Sequence, residues 1–302
     1  MGFFDLQVNG YHGVDFCSES LRAEDVHRAC KALRADGIDQ ILATVITDSV
    51  EALERKLTNL ARIRGEDDFI ESVIAGFHVE GPFISSVPGY VGAHPEEHVL
   101  PASVENAQRI VEAGQGLVRL MTLAPEMDER ARTIRFLAES GVTVSAGHCN
   151  PSLETLQRSI DAGLSMVTHL GNGCPVDLPR HDNIIQRCLG LADKLWICFI
   201  PDGAHIPFFA LRNYLRIVEL ERVIFTTDAI LAAGMGPGQY ELSGFPIEID
   251  EHGVATRPGS QNLAGSTIRG MEVAENLSRE FQLTQAEIEA CFRDHPKTAL
   301  GL

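Results

Sequence analysis

Short apolar runs rich in Val, Ile, Leu and Phe alternate along the whole chain with stretches of helical periodicity. This rhythm predicts parallel βα units, in which the strands are buried on both faces and the helices cover the sheet. Eight strands are predicted, at Phe3–Val8, Gln40–Ile46, Val73–Val79, Leu117–Leu123, Thr143–Ala146, Ser165–Thr168, Trp196–Ile200 and Arg222–Thr227. Seven helices are predicted between them, at Ala23–Ala35, Val50–Ile63, Ser103–Ala113, Glu129–Ser140, Ser152–Ala162, Asp182–Leu191 and Pro207–Val218.

The residues at the helix ends support these boundaries. Ser103 and Ser152 stand where helix N-caps belong, and Gly37, Gly141 and Gly163 stand where C-caps belong. No G-x-G-x-x-G motif follows the first predicted strand, which disfavours a dinucleotide-binding sheet. The regular alternation therefore predicts a closed (β/α)8 barrel of the TIM type.

A Gly- and Pro-rich segment, Gly234–Gly265, follows the eighth predicted strand. Its two short β-rich runs predict a small hairpin insertion around residues 238–256. Two more helices are predicted at Thr267–Phe281 and Thr284–Phe292. With no low-complexity tract or linker in the sequence, we expect residues 1–302 to form a single catalytic barrel domain.

Charge and cysteine usage narrow the classes of partner. The net charge of −17 and the lack of a basic run exclude nucleic acid and anionic membranes as main partners. The seven cysteines are scattered without a C-x-x-C pair, as is typical of reduced thiols. No apolar stretch is long enough to span a membrane and no basic, apolar leader is evident, so a cytoplasmic protein is expected.

Polar residues follow several predicted strands, at the end of a barrel where catalytic groups lie. Glu80, His148 and His169 supply one carboxylate and two imidazoles, a set suited to Zn²⁺ with one position left for water. Asp228 would face that water from across the barrel mouth. A lone His or Asp at a strand end is more often a hydrogen-bonded structural residue, but four at converging positions favour a metal site.

Other candidates have two interpretations each. His205 follows Asp202-Gly203-Ala204 and either contacts a substrate or caps the next helix. His94 either reaches over the site from a long loop or is a solvated loop histidine, and the residues alone favour the solvated form. Cys149 and Cys174 stand beside proposed site residues and are interpreted as small core thiols rather than ligands.

The segment from His94 to His98 matches the H-x-x-E-H pattern of one class of zinc proteases. That chemistry needs both histidines on one face of an established helix. Because the segment lies between Gly92 and Pro101, we expect a loop there and reject the protease interpretation.

The motifs around these residues resemble those of the N-acetylglucosamine-6-phosphate deacetylase family of the amidohydrolase superfamily. In chain order they are Phe3 to Gly10, His78 to Phe83, Gly147-His148, Thr168-His169-Leu170 with Asn172, Asp202-Gly203 with His205, Thr227-Asp228-Ala229, Leu263 to Ser266, and a closing segment from Pro296 to Leu302.

The resemblance implies a role for each matching residue. It makes Glu80, His148 and His169 ligands of one divalent ion, Zn²⁺, and Asp228 the catalytic acid and base. Many amidohydrolases begin with a His-x-His pair that binds a second metal, whereas this chain has Gln7 and Asn9, which implies a single ion. The implied substrate contacts are His94, Asn172, Gly173, Arg180, His205, Leu263, Ala264 and Gly265.

The resemblance further implies a homodimer, with Arg180 near the sugar phosphate and serving a neighbour's pocket. Three departures stand out. The small β-sandwich that members build from segments flanking the barrel is expected to be missing. Gly171 replaces a bulky residue and Gly173-Cys174 replaces Ala-Met, so a reshaped pocket is expected. The charge of −17 leaves Arg180 to attract a phosphate locally.

The expected function is removal of the acetyl group from N-acetylglucosamine 6-phosphate or a closely related N-acetyl amino sugar. One alternative keeps the metal site and changes the substrate to an unphosphorylated N-acetyl sugar or another amide. A second alternative is a non-catalytic barrel that binds a sugar or a protein.

Overall fold

The computed structural model describes residues 2–242, 244–259 and 263–302. Eight parallel strands pair in chain order, each with its neighbours in sequence, which confirms the predicted barrel class. The barrel strands, called first to eighth below, are Phe3–Val8, Ile38–Ile46, Ile74–Glu80, Val118–Leu123, Thr143–Ala146, Leu164–Val167, Trp196–Phe199 and Val223–Phe225.

Buried polar contacts join the first strand to the eighth and close the barrel. Asp5, on the first strand, is fully buried and accepts hydrogen bonds from the hydroxyl groups of Thr226 (2.5 Å) and Thr227 (2.6 Å). The amide of Thr227 also donates to this carboxylate, at 3.1 Å, which explains why the eighth strand ends at Phe225 rather than at Thr227 as predicted. Burial raises the pKa of Asp5 to about 6 although these hydrogen bonds lower it.

The α-helices cover the outside of the barrel. They are Ala23–Ala35, Val50–Gly65, Asp68–Val73, Val104–Ala113, Arg132–Glu139, Leu153–Asp161, Ile184–Leu189, Phe208–Val218, Gly270–Phe281, Gln285–Glu289 and His295–Leu300. The Ser103 and Ser152 side chains accept from the amides of Asn106 (3.2 Å) and Thr155 (3.1 Å), so both predicted N-caps are confirmed.

Several boundaries differ from the prediction, among them the following three. The helix Asp68–Val73 was not predicted, and it delays the third strand to Ile74. The predicted helix Glu129–Ser140 is regular only from Arg132, because Arg130 and Ala131 adopt left-handed backbone angles. The last predicted helix continues beyond Phe292 through a π-helical turn to Leu300.

Apolar side chains fill one end of the barrel interior. Phe4, Leu6, Leu42, Leu120, Met166, Cys198 and Ile224 form a buried cluster there. Ala299 and Leu300 of the last helix pack against this cluster. Because that end is sealed, polar side chains reach solvent at the opposite end, the mouth, where the carboxyl ends of the strands lie.

A small sheet lies at the mouth. Strands Gly238–Leu242 and Phe245–Ile249 pair antiparallel, and Ala255–Thr256 adds a short third strand. Its buried Ile247 and Ile249 pack with Ile230 of the barrel mouth. Among the described residues, no helix is both long and apolar enough to cross a bilayer.

Candidate active site

Three of the four predicted site residues follow barrel strands in a strained backbone conformation. His148 and His169 each come two residues after a strand, and Asp228 comes three residues after the eighth strand. Their φ angles are 50°, 29° and 51°, in the left-handed region that non-glycine residues rarely adopt. Glu80 instead is the last residue of the third strand. Strain of this kind costs about 1–3 kcal/mol per residue and clusters at functional sites.

Glu80, His148 and His169 converge at the mouth. Glu80 Oε1 lies 2.9 Å from His169 Nε2 and 3.3 Å from His148 Nε2. One potential ligand atom from each of the three residues lies within 4.8 Å of the others, and all three side chains are buried. One carboxylate oxygen and two imidazole nitrogens at this separation form a donor set that fits a single divalent ion.

The contacts of Glu80 with the two imidazoles set the charge of its carboxyl group. Burial would raise the pKa of Glu80, but hydrogen bonds from His148 and His169 outweigh burial and hold the pKa well below its usual value. Burial would lower the pKa of His169, but the contact with Glu80 outweighs burial, so the pKa of His169 is raised above its usual value. The carboxylate is thus kept ionised at the centre of the cluster, as a metal ligand must be.

Two amide side chains hold the acidic groups, one from the end of the first strand and one from the residue that follows it. Gln7 Nε2 donates to Glu80 Oε2 at 3.1 Å, and Asn9 Nδ2 donates to Asp228 Oδ1 at 2.7 Å. Burial raises the pKa of Asp228 to about 6, against the lowering influence of His169 and of the Asn9 hydrogen bond. Asp228 therefore lies where a carboxylate can accept and return a proton near neutral pH.

His94 lies inside the site, so its interpretation as a solvated loop histidine is wrong. Its residue surface is 7% exposed, and its Nε2 lies 3.2 Å from His148 Nε2 and 3.8 Å from Glu80 Oε2. Thr47 Oγ1 fixes the other ring nitrogen at 2.8 Å. Burial, reinforced by His148, lowers the pKa of His94 to about 3, so the ring is neutral.

Asp202 orients His205 through two hydrogen bonds to that residue and a third to the preceding Ala204. Asp202 Oδ2 lies 2.6 Å from His205 Nδ1, while Asp202 Oδ1 accepts from the amides of Ala204 (2.9 Å) and His205 (2.8 Å). The contact with Asp202 favours the proton on Nδ1, so Nε2 is the nitrogen available to the cavity.

An open cavity connects these groups. Of the residues expected to contact a substrate, seven line it: His94, Asn172, Gly173, His205, Leu263, Ala264 and Gly265. Arg180 does not line it and is exposed on the loop after the sixth strand. Within the described ranges, neither Lys nor Arg lines the cavity.

Glycine is required at position 173. Its φ is 60°, and a Cβ there would lie 2.7 Å from His148 Nδ1. A larger residue would displace the imidazole that faces Glu80.

Several lining residues were missed in the sequence. Leu242 comes from the hairpin, Ile46 is the last residue of the second strand, and Cys17 lies between the first strand and the helix Ala23–Ala35. Ile230 and Val176 complete the apolar part of the lining. None carries a chemical signature, and only the folding of the hairpin and loops over the mouth brings them together.

The remaining sequence candidates lie outside this chemistry. Glu96–His98 forms only a single 3₁₀ turn, and His98 lies 3.4 Å from Asp48 rather than beside His94, so the protease interpretation is rejected. Burial raises the pKa of the Cys149 and Cys174 thiols, which disfavours the reactive thiolate.

No protein-family model matches the chain. A search of curated proteins finds N-acetylglucosamine-6-phosphate deacetylase of Mus musculus, 31% identical over 318 residues that cover all of this chain and 74% of that protein. The chain belongs to the N-acetylglucosamine-6-phosphate deacetylase family. N-acetylgalactosamine-6-phosphate deacetylase of Escherichia coli O157:H7 is 29% identical, with 99% of this chain and 77% of that protein covered.

The fold agrees with this family. The N-acetyl-D-glucosamine-6-phosphate deacetylase of Mycobacterium smegmatis, solved in complex with N-acetyl-D-glucosamine-6-phosphate, superimposes with a TM-score of 0.89. The two chains are 29% identical, and the match covers 100% of this chain and 77% of the other. The cluster of Glu80, His148 and His169 thus lies in a barrel of the deacetylase family.

Proposed function

We propose that this enzyme hydrolyses the acetamide of N-acetylglucosamine 6-phosphate or a closely related N-acetyl amino sugar phosphate. The observation that carries the proposal is the convergence of Glu80, His148 and His169 within 4.8 Å, beside Asp228, in a member of the deacetylase family. The curated relatives cited above are named for phosphorylated amino sugars, so an unphosphorylated substrate is not favoured.

Glu80, His148 and His169 would hold one divalent ion, which we propose to be Zn²⁺. When bound, such an ion lowers the pKa of water and polarises a carbonyl group. The rest of the chemistry falls to the chain's own residues. Asp228 accepts a proton from the attacking water and returns it to the nitrogen of the departing amino sugar. His94, neutral and fixed by Thr47, would contact the acetamide from beside the proposed ligands.

The proposed function is tested by acetate release from the zinc-loaded protein. The panel contains N-acetylglucosamine 6-phosphate, N-acetylgalactosamine 6-phosphate, unphosphorylated N-acetylglucosamine and an N-acetyl amino acid. We expect about one metal ion per chain and the highest kcat/KM on one of the two phosphorylated sugars. Metal-loaded protein that releases no acetate from either phosphorylated sugar would contradict the proposal.

We propose that Arg180 binds the sugar phosphate from a second copy of the chain. Arg180 is exposed and lies outside its own cavity, where Lys and Arg are lacking among the described lining residues. A phosphate that enters the cavity therefore needs a cation from elsewhere. A homodimer that places Arg180 at the neighbouring mouth would supply it.

Replacing Arg180 with alanine is expected to raise KM for the phosphorylated sugar about 10- to 100-fold, because a hydrogen bond between charged groups is lost. KM for the unphosphorylated sugar should change less. The matched control is Arg158→Ala, which removes an exposed arginine from the helix Leu153–Asp161. Light scattering measures the oligomeric state. Equal KM values for wild type and Arg180→Ala would refute this role.

Replacing Asp202 with asparagine tests the orientation of His205. The new side chain can still accept from the amides of Ala204 and His205, but its NH₂ group would face His205 Nδ1 and favour the proton on Nε2. We expect kcat/KM to fall about 10- to 100-fold with the fold intact. The ¹⁵N chemical shifts of the His205 ring report the tautomer, and an unchanged tautomer with reduced activity would argue against orientation as the cause.

A further inference from the structure

The side chain of Asn9 is held firmly at the cavity. Asn9 follows the first strand, and its residue surface is only 5% exposed. The backbone N–H of Asn9 donates to the backbone carbonyl of Ala229 at 2.7 Å, and its backbone carbonyl accepts from the backbone N–H of Phe16 at 2.9 Å. With both backbone groups hydrogen-bonded, the side chain lines the cavity in a defined direction.

The side-chain nitrogen of Asn9 forms a hydrogen bond with Asp228. Nδ2 donates to Asp228 Oδ1 at 2.7 Å, a short distance typical of a hydrogen bond to an ionised acceptor. One carboxylate oxygen is thereby engaged, and the other is left to exchange a proton. Because Asp228 has a left-handed φ of 51°, this contact also fixes a side chain whose backbone is strained.

The carbonyl oxygen of Asn9 is the unusual feature. Oδ1 is buried and has no hydrogen-bond donor within reach among the described residues. Buried side-chain oxygens almost always have a partner, because an unmade hydrogen bond costs about 1–3 kcal/mol. Asn9 lies on the cavity wall beside the proposed proton acceptor, so a donor that enters with the reaction would satisfy Oδ1.

We propose that Asn9 is a further catalytic residue whose side-chain amide holds both participants of the first proton transfer. Nδ2 fixes Asp228, and Oδ1 accepts a hydrogen bond from the attacking water. This inference rests on the proposed deacetylase function. The two groups together aim one O–H of the water at Asp228 and the oxygen lone pair at the acetamide carbon.

The proton balance of the reaction is unchanged by this role. One water proton passes to Asp228 as the new C–O bond forms. The second stays on the oxygen, hydrogen-bonded to Asn9 Oδ1, and becomes the carboxyl hydrogen of acetic acid. Asp228 returns its proton to the nitrogen as the C–N bond breaks. Acetic acid then loses its proton to solvent.

The test is Asn9→Leu, which keeps the approximate size of the side chain and removes both hydrogen-bonding groups. We expect kcat to fall about 10- to 100-fold, as for a lost hydrogen bond to a charged group, while KM stays within about threefold. Metal content should remain at that of wild type. The matched control is Asn213→Leu, on the exposed face of the helix Phe208–Val218, which should retain wild-type kcat.

Two ligands separate a catalytic role from a structural one. A tetrahedral phosphonamidate analogue of the acetamide should lose affinity for Asn9→Leu by about the same factor as kcat/KM. The product amino sugar phosphate, which lacks the acetyl group, should bind wild type and variant equally. A structural disturbance would instead weaken both ligands and lower Tm.

Wild-type kcat in Asn9→Leu would overturn the inference. So would weaker product binding with kcat retained, because the amide would then contact the sugar and not the water. If Asn9→Leu does not fold, Asn9→Ser must show the loss of kcat with its metal retained, and loss of metal in step with kcat would overturn the inference. Absence of acetate release by wild type would instead refute the proposed function, so the two failures are distinguishable.

Discussion

Replacing Asp228 with asparagine is expected to lower kcat by about 10²–10⁴-fold, the usual contribution of a general acid and base. Asparagine is close to aspartate in shape, but it cannot take a proton from water or return it to the amine nitrogen. Asp228 is absent from the trio of converging ligand atoms, so metal content should stay at that of wild type. The measurements are steady-state acetate release and metal analysis on the same preparation.

The control for this change is Asp161→Asn, which removes an exposed carboxylate at the end of the helix Leu153–Asp161. It alters the net charge by the same amount and should leave kcat unchanged. Activity retained in Asp228→Asn would refute the proposed acid and base role. Loss of metal together with activity would instead show that Asp228 supports the ion.

Replacing Glu80 with glutamine is expected to remove most of the bound metal and to lower kcat by at least about 10³-fold, because several kcal/mol of charge stabilisation are lost with the ion. Glu80 is the only acidic member of the trio and contacts both imidazoles. A neutral amide in its place is a weaker ligand and leaves a buried imidazole without its ionised partner.

Thermal unfolding checks the same variant independently of activity. A ligand that binds only the folded state raises Tm, so wild type should unfold at a higher temperature with Zn²⁺ than after chelation. Glu80→Gln should show little of this difference. Glu139→Gln, on the exposed end of the helix Arg132–Glu139, is the matched control and should respond like wild type. Full metal content in Glu80→Gln would contradict the assignment.

The strands and the ends of most helices follow from local sequence. Thr143–Ala146 has its predicted bounds. A short run with β-branched residues between Gly141 and Gly147 favours a strand and is too short for a helix. Caps such as Ser103 act over three residues and are equally visible in the sequence. The helix Asp68–Val73 was missed since it lies directly against the third strand, with no intervening turn signal.

The candidate ligands were predictable for a topological reason. A parallel barrel brings the carboxyl ends of all strands to one mouth, so residues far apart in sequence, such as Glu80 and His169, are expected to meet once the strands are known. The same argument places Asp228 at the mouth. It does not give the distance from Asp228 to the ligands or identify the hydrogen-bond partner of its carboxylate. Its hydrogen bond to Asn9 spans 219 positions and depends on how the first and eighth strands meet.

The tertiary structure, by contrast, decided which side chains are buried and which of them reach the cavity. His94 lies on a loop whose sequence favours exposure, and only the packing of that loop against Thr47 and His148 makes it a neutral, buried group. Arg180 carries the positive charge expected of a phosphate ligand. Its loop nevertheless places it outside the cavity of its own chain.

The sequence by itself thus determined the barrel, the approximate positions of its strands and the donor types at the mouth, because alternation of apolar runs and helix signals is a local property. Only the tertiary structure decided which nitrogen faces which oxygen, which groups lose contact with water, and which buried atom lacks a partner. Those properties arise from contacts across the barrel, where desolvation and geometry shift the pKa of Glu80 and Asp228 in opposite directions and leave Asn9 Oδ1 without a donor among the residues that the structure describes.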